Sequence, residues 1–201
     1  MKRTTERAKG SRRRFKTIVL LSGGIDSTSC LSYYLRRGFR AQALFVDYGQ
    51  ISSKRELRAA RLVCHHFRVP LRVVELNGTV PHGPGLIRGR NGFLLLTAMM
   101  ESEINKGVIA LGIHAGTKYK DCSPRFVHEM QAVFDTCTGG CIQIGAPFLR
   151  WSKSDIWTFA KREGVPLDLT YSCERGLAQP CGFCDSCMDL EKLNAGSHQQ
   201  D

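Results

Sequence analysis

The feature that most constrains this chain is a short Gly-rich turn, Ser22-Gly-Gly-Ile-Asp-Ser-Thr28, between a strand pattern and a helix pattern. Residues 17–20 are β-branched or apolar, which indicates a buried strand. In residues 27–37 the apolar side chains recur at helical spacing. The N–H groups of such a turn approach anions, and the helix dipole favours negative charge there. The turn therefore predicts an anion site, although an ordinary turn with an Asp N-cap has the same pattern.

The rest of the chain continues this alternation. Further strands are predicted at residues 40–47, 69–76, 108–113 and 142–146, and helices at 53–67, 92–106, 124–134 and 152–163. The order favours an α/β fold with a doubly wound parallel sheet flanked by helices. Ligands of such sheets bind where the strands end. We therefore expect four segments to meet at one edge of the sheet: residues 22–28, 47–50, 114–122 and 147–153.

The charge of the chain is concentrated at its start. The formal net charge of the 201 residues is +11, and residues 1–14 hold seven Lys or Arg against one acid. The tail therefore carries +6 and the remainder only +5. Such a tail binds RNA non-specifically or is simply solvated and disordered, and we expect disorder. No apolar run approaches the length of a membrane span, and no secretory signal is visible, so we expect a cytoplasmic protein.

Four of the nine cysteines lie close together near the end of the chain, at Cys173, Cys181, Cys184 and Cys187. Cys-x-x-Cys spacing is typical of a tetrahedral zinc site, and four protein ligands make the site structural. Buried free thiols, a redox pair or an iron–sulfur cluster are the alternatives. The predicted organisation is a basic tail at 1–14, an α/β domain at 15–165, a zinc-bound segment at 166–193 and a disordered tail at 194–201.

The turn at 22–28 lacks the Gly-Lys-Ser/Thr of a Walker loop and the Gly-x-Gly-x-x-Gly of dinucleotide-binding folds. It resembles the PP-loop of the N-type ATP pyrophosphatases, whose sheet is of the adenine nucleotide alpha hydrolase-like (HUP) type. The resemblance implies ATP bound with Mg²⁺ and release of pyrophosphate. It implies ATP contacts from Leu21, Ser22, Gly23, Gly24, Ile25, Asp26, Ser27, Thr28, Ser29, Cys30 and Leu31.

Seven segments together resemble the QueC family, the 7-cyano-7-deazaguanine synthases, across residues 16–193. They are Ser22–Thr28, Val46–Gln50, Gly89–Asn91 with Phe93, Asp121-Cys122, Pro147–Lys153, Thr170–Cys173 and Cys181–Cys187. The resemblance implies adenylation of the carboxylate of 7-carboxy-7-deazaguanine, amination by ammonia, and dehydration of the amide to the nitrile with a second ATP. It also implies a homodimer.

Residue roles follow from the same resemblance. Asp26 and Lys153 are the expected catalytic residues: Asp26 holds a cation, and Lys153 neutralises phosphate or acyl-adenylate oxygens. The expected substrate contacts are Tyr48, Gln50, Arg90, Asn91, Phe93 and Asp121. For the loop residues among them, a hydrogen bond that only shapes the loop is the alternative.

The loop at residues 116–123 departs from the family pattern, because it is shorter and contains Lys118 and Lys120. It keeps several functions open. One alternative is a divergent QueC-like enzyme of the antiviral-operon type, which stops at the amide or conjugates the activated deazaguanine to an amine on an acceptor protein. A tRNA-modifying PP-loop enzyme would explain the basic tail. A zinc-containing binding module without catalysis is the last alternative.

Overall fold

The structure is a computed structural model that describes residues 16–78, 80–114 and 116–197. The basic segment 1–14 and residues 198–201 of the predicted C-terminal tail lie outside the described residues. Among the described helices, none combines the length and the apolar character that a bilayer crossing requires.

Within the described ranges, five strands and six α-helices alternate along most of the chain. The strands are β1 (Lys16–Leu20), β2 (Arg40–Asp47), β3 (Leu71–Glu75), β4 (Gly107–Ala110) and β5 (Ile142–Gly145). The helices are α1 (Ile25–Arg36), α2 (Ser53–Phe67), α3 (Arg90–Glu101), α4 (Pro124–Thr138), α5 (Lys153–Arg162) and α6 (Asp185–Ser197). All pairings are parallel and the strand order is β3-β2-β1-β4-β5, which confirms the predicted doubly wound sheet. The order reverses between β1 and β4, where such folds bind ligands.

Alternate residues of the strands enter two separate cores, as the period of a strand requires. Val19 and Phe45 lie in the core that α1, α2 and α5 cover. Ile18 and Leu44 lie in the core on the opposite face, which α3 and α4 cover. The strands are therefore buried on both sides, and polar groups needed for chemistry collect where the strands end.

Two glycines, one after β1 and one after β4, allow neighbouring backbone segments to approach each other closely. Gly23 has φ of +80°, and a Cβ on it would lie 2.7 Å from the backbone nitrogen of Ala60 in α2. A Cβ on Gly112, just after β4, would lie 2.6 Å from the carbonyl oxygen of Asp26. Both distances are too short for a real side chain. The turn after β1 is therefore held in direct backbone contact with α2 and with the end of β4.

The predicted element boundaries differ from the structure in the second half of the chain. The third helix begins at Arg90 and ends at Glu101, because Ser102 adopts an extended backbone conformation. The C-terminal helix α6 was not predicted, and it runs to Ser197. The helix therefore continues past the boundary predicted at residue 194. Leu190 and Leu193 of α6 pack against the core around α1, α2 and α5, which explains why the helix extends that far.

Candidate active site

A cleft of about 640 Å³ lies at the carboxyl ends of the strands. Each of the four segments expected there contributes to its lining, through Ser22, Tyr48, His114 and Lys153 among others. A fifth contribution comes from the C-terminal part of the chain, from Tyr171 to Leu193. We call residues 171–193 the cysteine segment. The cleft is thus bounded by the turn after β1 on one side and by the cysteine segment on another.

The turn after β1 has the local geometry of an anion site. Gly24 is the N-cap of α1 in an extended conformation, and no side chain caps the helix there. The hydroxyl of Ser27 donates to the carbonyl of Gly24 at 3.0 Å and lies 3.1 Å from the hydroxyl of Ser22. These contacts hold the turn together while the positive end of the helix dipole points at the cleft.

Asp26 and Lys153 lie together at the mouth of this turn. The Nζ of Lys153 donates to both carboxylate oxygens of Asp26, at 2.7 and 2.6 Å. His114 lies on the other side, with Nε2 3.6 Å from Oδ2 of Asp26. The two predicted catalytic residues are therefore brought together from α1 and α5. Sequence reasoning did not single out His114, although its position directly after a strand was the available signal.

Tyr48 and Arg90 form the opposite part of the lining. Burial raises the pKa of Tyr48, while the guanidinium of Arg90 opposes this rise. Glu56, in the first turn of α2, also lines the cleft. Burial raises the pKa of Glu56, although hydrogen bonds from Ser52 and Gln50 oppose the effect. This part of the cleft therefore combines a cation, a partly buried carboxylate and an aromatic ring.

Gln50 lines the cleft, but its side chain is committed to the protein. It is buried, its Nε2 donates to the carbonyl of Val46 and to Glu56, and its Oε1 accepts from the N–H of Tyr48 at 2.9 Å. These three contacts fix the segment that follows β2. The structure thus favours a loop-shaping role for Gln50.

Asn91 and Asp121 bind each other. The Nδ2 of Asn91 donates to the carbonyl of Asp121 at 3.0 Å, and the N–H of Asn91 donates to the Asp121 carboxylate at 3.2 Å. Asn91 is buried and lines the cleft, whereas Asp121 lies behind the lining. Phe93 also lies outside the lining and packs its ring 6.4 Å from that of Tyr48. Of the six predicted substrate contacts, Tyr48 and Arg90 have the most favourable positions.

Part of the predicted ATP contact set lies behind the cleft. Thr28, Ser29, Cys30 and Leu31 are completely buried in α1 and do not line it. Burial also raises the pKa of the Cys30 thiol. The structure therefore does not bring these four side chains to the site, because the helix turns them into the core. Leu21, Ser22, Gly24, Ile25, Asp26 and Ser27 do line the cleft, while Gly23 packs on α2.

The four predicted metal ligands converge. The Sγ atoms of Cys173, Cys181, Cys184 and Cys187 all lie within 4.8 Å of one another, and those of Cys181 and Cys187 are 3.9 Å apart. Tetrahedral zinc, with Zn–S of about 2.3 Å, places its ligands about 3.8 Å apart. Burial alone raises the pKa of the Cys173 thiol, but the N–H groups of Arg175 and Cys181 lower it to about 6. The cluster therefore has the composition and spacing of a four-thiolate metal site.

Solved structures share this fold at low sequence identity. The U34-tRNA thiolase NcsA from Methanococcus maripaludis, solved with its 4Fe-4S cluster, has a TM-score of 0.54 and 13% identity, with 93% of this chain and 67% of that one covered. A 4-thiouridine synthetase solved with RNA and ATP has a TM-score of 0.54 and 21% identity, over 90% and 50%. These likenesses show the fold alone. The fold and the turn after β1 define an α/β protein of the PP-loop class.

Sequence comparison narrows the class to one family. The model of the family described as "Queuosine biosynthesis protein QueC" matches residues 16–82 and 84–194. The 7-cyano-7-deazaguanine synthase of Desulfitobacterium hafniense (strain DSM 10664 / DCB-2) is 34% identical over 199 residues, which cover 86% of this chain and 85% of the relative. The synthase of Acetivibrio thermocellus is 32% identical over 200 residues, or 86% and 90%. The chain belongs to the QueC family.

Proposed function

We propose that this protein is an ATP-dependent ligase that converts 7-carboxy-7-deazaguanine into 7-cyano-7-deazaguanine. One observation carries the proposal: the PP-loop turn, the Lys153–Asp26 pair and the Tyr48–Arg90 pair line one continuous cleft. ATP and a purine-like acid would therefore lie side by side. Membership of the QueC family supports this substrate, since the relatives are named as synthases of that nitrile.

The first step requires activation, because a carboxylate is a poor electrophile with a basic leaving oxygen. In the proposed reaction the carboxylate of the acid attacks the α-phosphorus of ATP, and pyrophosphate leaves. The N–H groups at the start of α1 would bind the departing pyrophosphate. Lys153 would shift from Asp26 to the phosphate oxygens as negative charge accumulates there. The protein contributes positioning and charge neutralisation in this step.

In the second step ammonia attacks the acyl-adenylate, AMP leaves and the primary amide forms with loss of a proton. The amide oxygen then attacks the α-phosphorus of a second ATP, and pyrophosphate and a proton leave. Loss of AMP and a second proton from this adenylated intermediate gives the nitrile. Arg90 would hold the carboxylate of the starting acid, because a guanidinium matches two carboxylate oxygens. Tyr48 would pack against the flat ring.

Two metal ions are part of the proposal. Asp26 supplies the carboxylate oxygens that Mg²⁺ prefers, and the ion bound with ATP would neutralise phosphate charge. The four thiolates fit Zn²⁺, which would stabilise the cysteine segment without taking part in the reaction. Elemental analysis that finds iron and sulfide in place of zinc would contradict the second assignment.

The oligomeric state and the compartment also belong to the proposal. Phe93, Leu96 and Met100 are exposed apolar residues at helical spacing on α3, which supports contact with a second copy in a homodimer. A thiolate metal site suits the reducing cytoplasm. Light scattering of the purified protein at several concentrations tests the dimer, and a monomeric mass throughout would contradict it.

The activity is tested by incubating the protein with ATP, Mg²⁺, 7-carboxy-7-deazaguanine and ammonium, with products followed by mass spectrometry. We expect AMP, pyrophosphate and the nitrile. Omission of ammonium should leave the acid unconverted. An amide that accumulates without nitrile would restrict the function to the first half-reaction. No AMP formation with the acid would overturn the proposal.

A further inference from the structure

We propose that Glu174 is a positioning residue that fixes the loop at residues 80–89 and, through it, the place of Arg90 in the cleft. The inference rests on the proposed function, which supplies the identity of the bound acid. Glu174 directly follows the metal-site residue Cys173 and lines the cleft. Sequence analysis assigned it no role, and the cysteine segment itself was expected only to stabilise the fold.

The carboxylate of Glu174 joins two separate parts of the chain. Oε1 accepts from the N–H and the hydroxyl of Ser186, at 3.1 and 2.8 Å. Oε2 accepts from the N–H of Gly85 at 3.0 Å. Ser186 lies between Cys184 and Cys187, so the side chain is fixed on the metal-site side by a residue next to a ligand. The other oxygen is thereby aimed at the loop.

The loop depends on such polar contacts because it has little apolar packing of its own. Val80 and Leu86 are 70% and 61% exposed. The backbone of His82 exchanges hydrogen bonds with Gly49 and Ile51, at 2.8 and 3.0 Å, which anchors the first part of the loop. The contact between Gly85 and Glu174 anchors the second part.

The contact between Gly85 and Glu174 is the one that lies next to Arg90 along the chain. The N–H of Arg90 donates to the carbonyl of Ile87 at 3.3 Å, two residues beyond Gly85, and α3 begins at Arg90. Gly85, Ile87 and Arg90 all line the cleft. A displacement of Gly85 would therefore also displace the guanidinium of Arg90, which is expected to hold the carboxylate of the acid. The PP-loop turn is held by a different contact, because the N–H of Tyr171 donates to the carbonyl of Gly23 at 2.9 Å.

A second contact joins the cysteine segment to the opposite loop. The Nζ of Lys118 lies 3.2 Å from Oδ2 of Asp185, the first residue of α6. Both side chains are exposed, at 76% and 50%, so this ion pair contributes little by itself. Glu174 is less exposed than Lys118 and Asp185 and accepts three hydrogen bonds, so its contacts hold the loop more strongly than the ion pair does.

The experiment compares Glu174→Ala with Glu191→Ala in full-length, metal-loaded protein. Glu191 is an exposed acid in the same segment and provides the matched loss of charge. For Glu174→Ala we expect faster amide hydrogen exchange in peptides covering residues 80–88. We also expect KM for 7-carboxy-7-deazaguanine to rise roughly tenfold, since a charge-assisted hydrogen bond is lost. KM for ATP, metal content and the exchange of the PP-loop turn should stay at wild-type values, and Glu191→Ala should match wild type throughout.

Unchanged exchange at residues 80–88 would overturn the inference, and so would equal rises in KM for the acid and for ATP. Loss of metal in a folded Glu174→Ala protein would also overturn it, because Glu174 would then serve only the metal site. If that variant does not fold, Glu174→Gln takes its place, since it keeps the volume and one acceptor oxygen and is held to the same outcomes. If wild type does not convert the acid, the proposed function fails, while the exchange measurement still decides on the contact with Gly85.

Discussion

Lys153 and Asp26 are 127 residues apart in the sequence, yet the ammonium group of one lies within 2.7 Å of both carboxylate oxygens of the other. The pair joins the first turn of α5 to the first turn of α1 directly beside the PP-loop turn. The lysine is thus held in place with its charge compensated by the carboxylate. ATP would bring phosphate oxygens to a cation that is already positioned, which lowers the cost of organising the site.

Replacing Lys153 with Ala should reduce kcat by about 10²-fold or more, because the developing charge on the phosphates loses its cation. The rate of AMP release in the presence of the acid measures this. Lys54→Ala, which removes an exposed lysine at the start of α2, is the control and should retain the wild-type rate. A Lys153→Ala enzyme as fast as the control would show that the ion pair is only structural.

Replacing Arg90 with Met should raise KM for the acid roughly tenfold or more, since a guanidinium that faces a carboxylate in a sheltered cleft is lost. Steady-state kinetics with saturating ATP measure the change. Arg88 is exposed two residues earlier, so Arg88→Met controls for the loss of charge near the loop. Similar KM values for the two variants would contradict the assignment of Arg90.

Replacing Cys184 with Ala should reduce bound zinc to background and destabilise the cysteine segment, because tetrahedral binding needs all four thiolates. Metal content by mass spectrometry and the thermal unfolding curve measure the two effects. Cys141 is exposed and distant from the cluster in sequence, so Cys141→Ala should retain metal and stability. A Cys184→Ala protein that is metal-free and as stable as wild type would show that the metal site does not support the fold.

Gly112→Ala should lower the free energy of unfolding by about 1–3 kcal/mol, the range for forcing an extra carbon into a packed site. The added Cβ would lie 2.6 Å from the Asp26 carbonyl, so β4 and the start of α1 must separate. Gly83→Ala is the matched control, because a Cβ there has no neighbour within 4 Å. Urea unfolding of both variants tests this, and equal stabilities would contradict the close approach.

The fold was predictable because its signal is local. Apolar runs separated by amphipathic segments fix a parallel sheet, and the boundaries of α2 at Ser53 and Phe67 were predicted as observed. Helix α6 was missed because the cysteine cluster and contacts with a distant core hold it in place. The local sequence of residues 185–197 carries no signal for either of these long-range contacts.

The site was predictable only where a residue of suitable chemistry also lies just after the end of a predicted strand. Asp26 and Lys153 follow strand ends and were expected to meet, and they do. No role could be assigned to Glu174, because its partner Gly85 lies in a loop distant in the sequence. No role could be assigned to Glu56 either, because its partners Gln50 and Ser52 are ordinary polar residues. Gln50 illustrates the converse, since a motif residue at a strand end proved to be occupied by backbone partners.

The cysteine segment touches the loops that follow four of the five strands. Besides the contacts of Glu174 and of Asp185, the N–H of Tyr171 donates to the carbonyl of Gly23 at 2.9 Å, and Gly176 packs directly on the backbone of Ile51. The segment is therefore no detachable module. Because the segment closes one side of the cleft, the smallest unit able to enclose a substrate extends from β1 through α6.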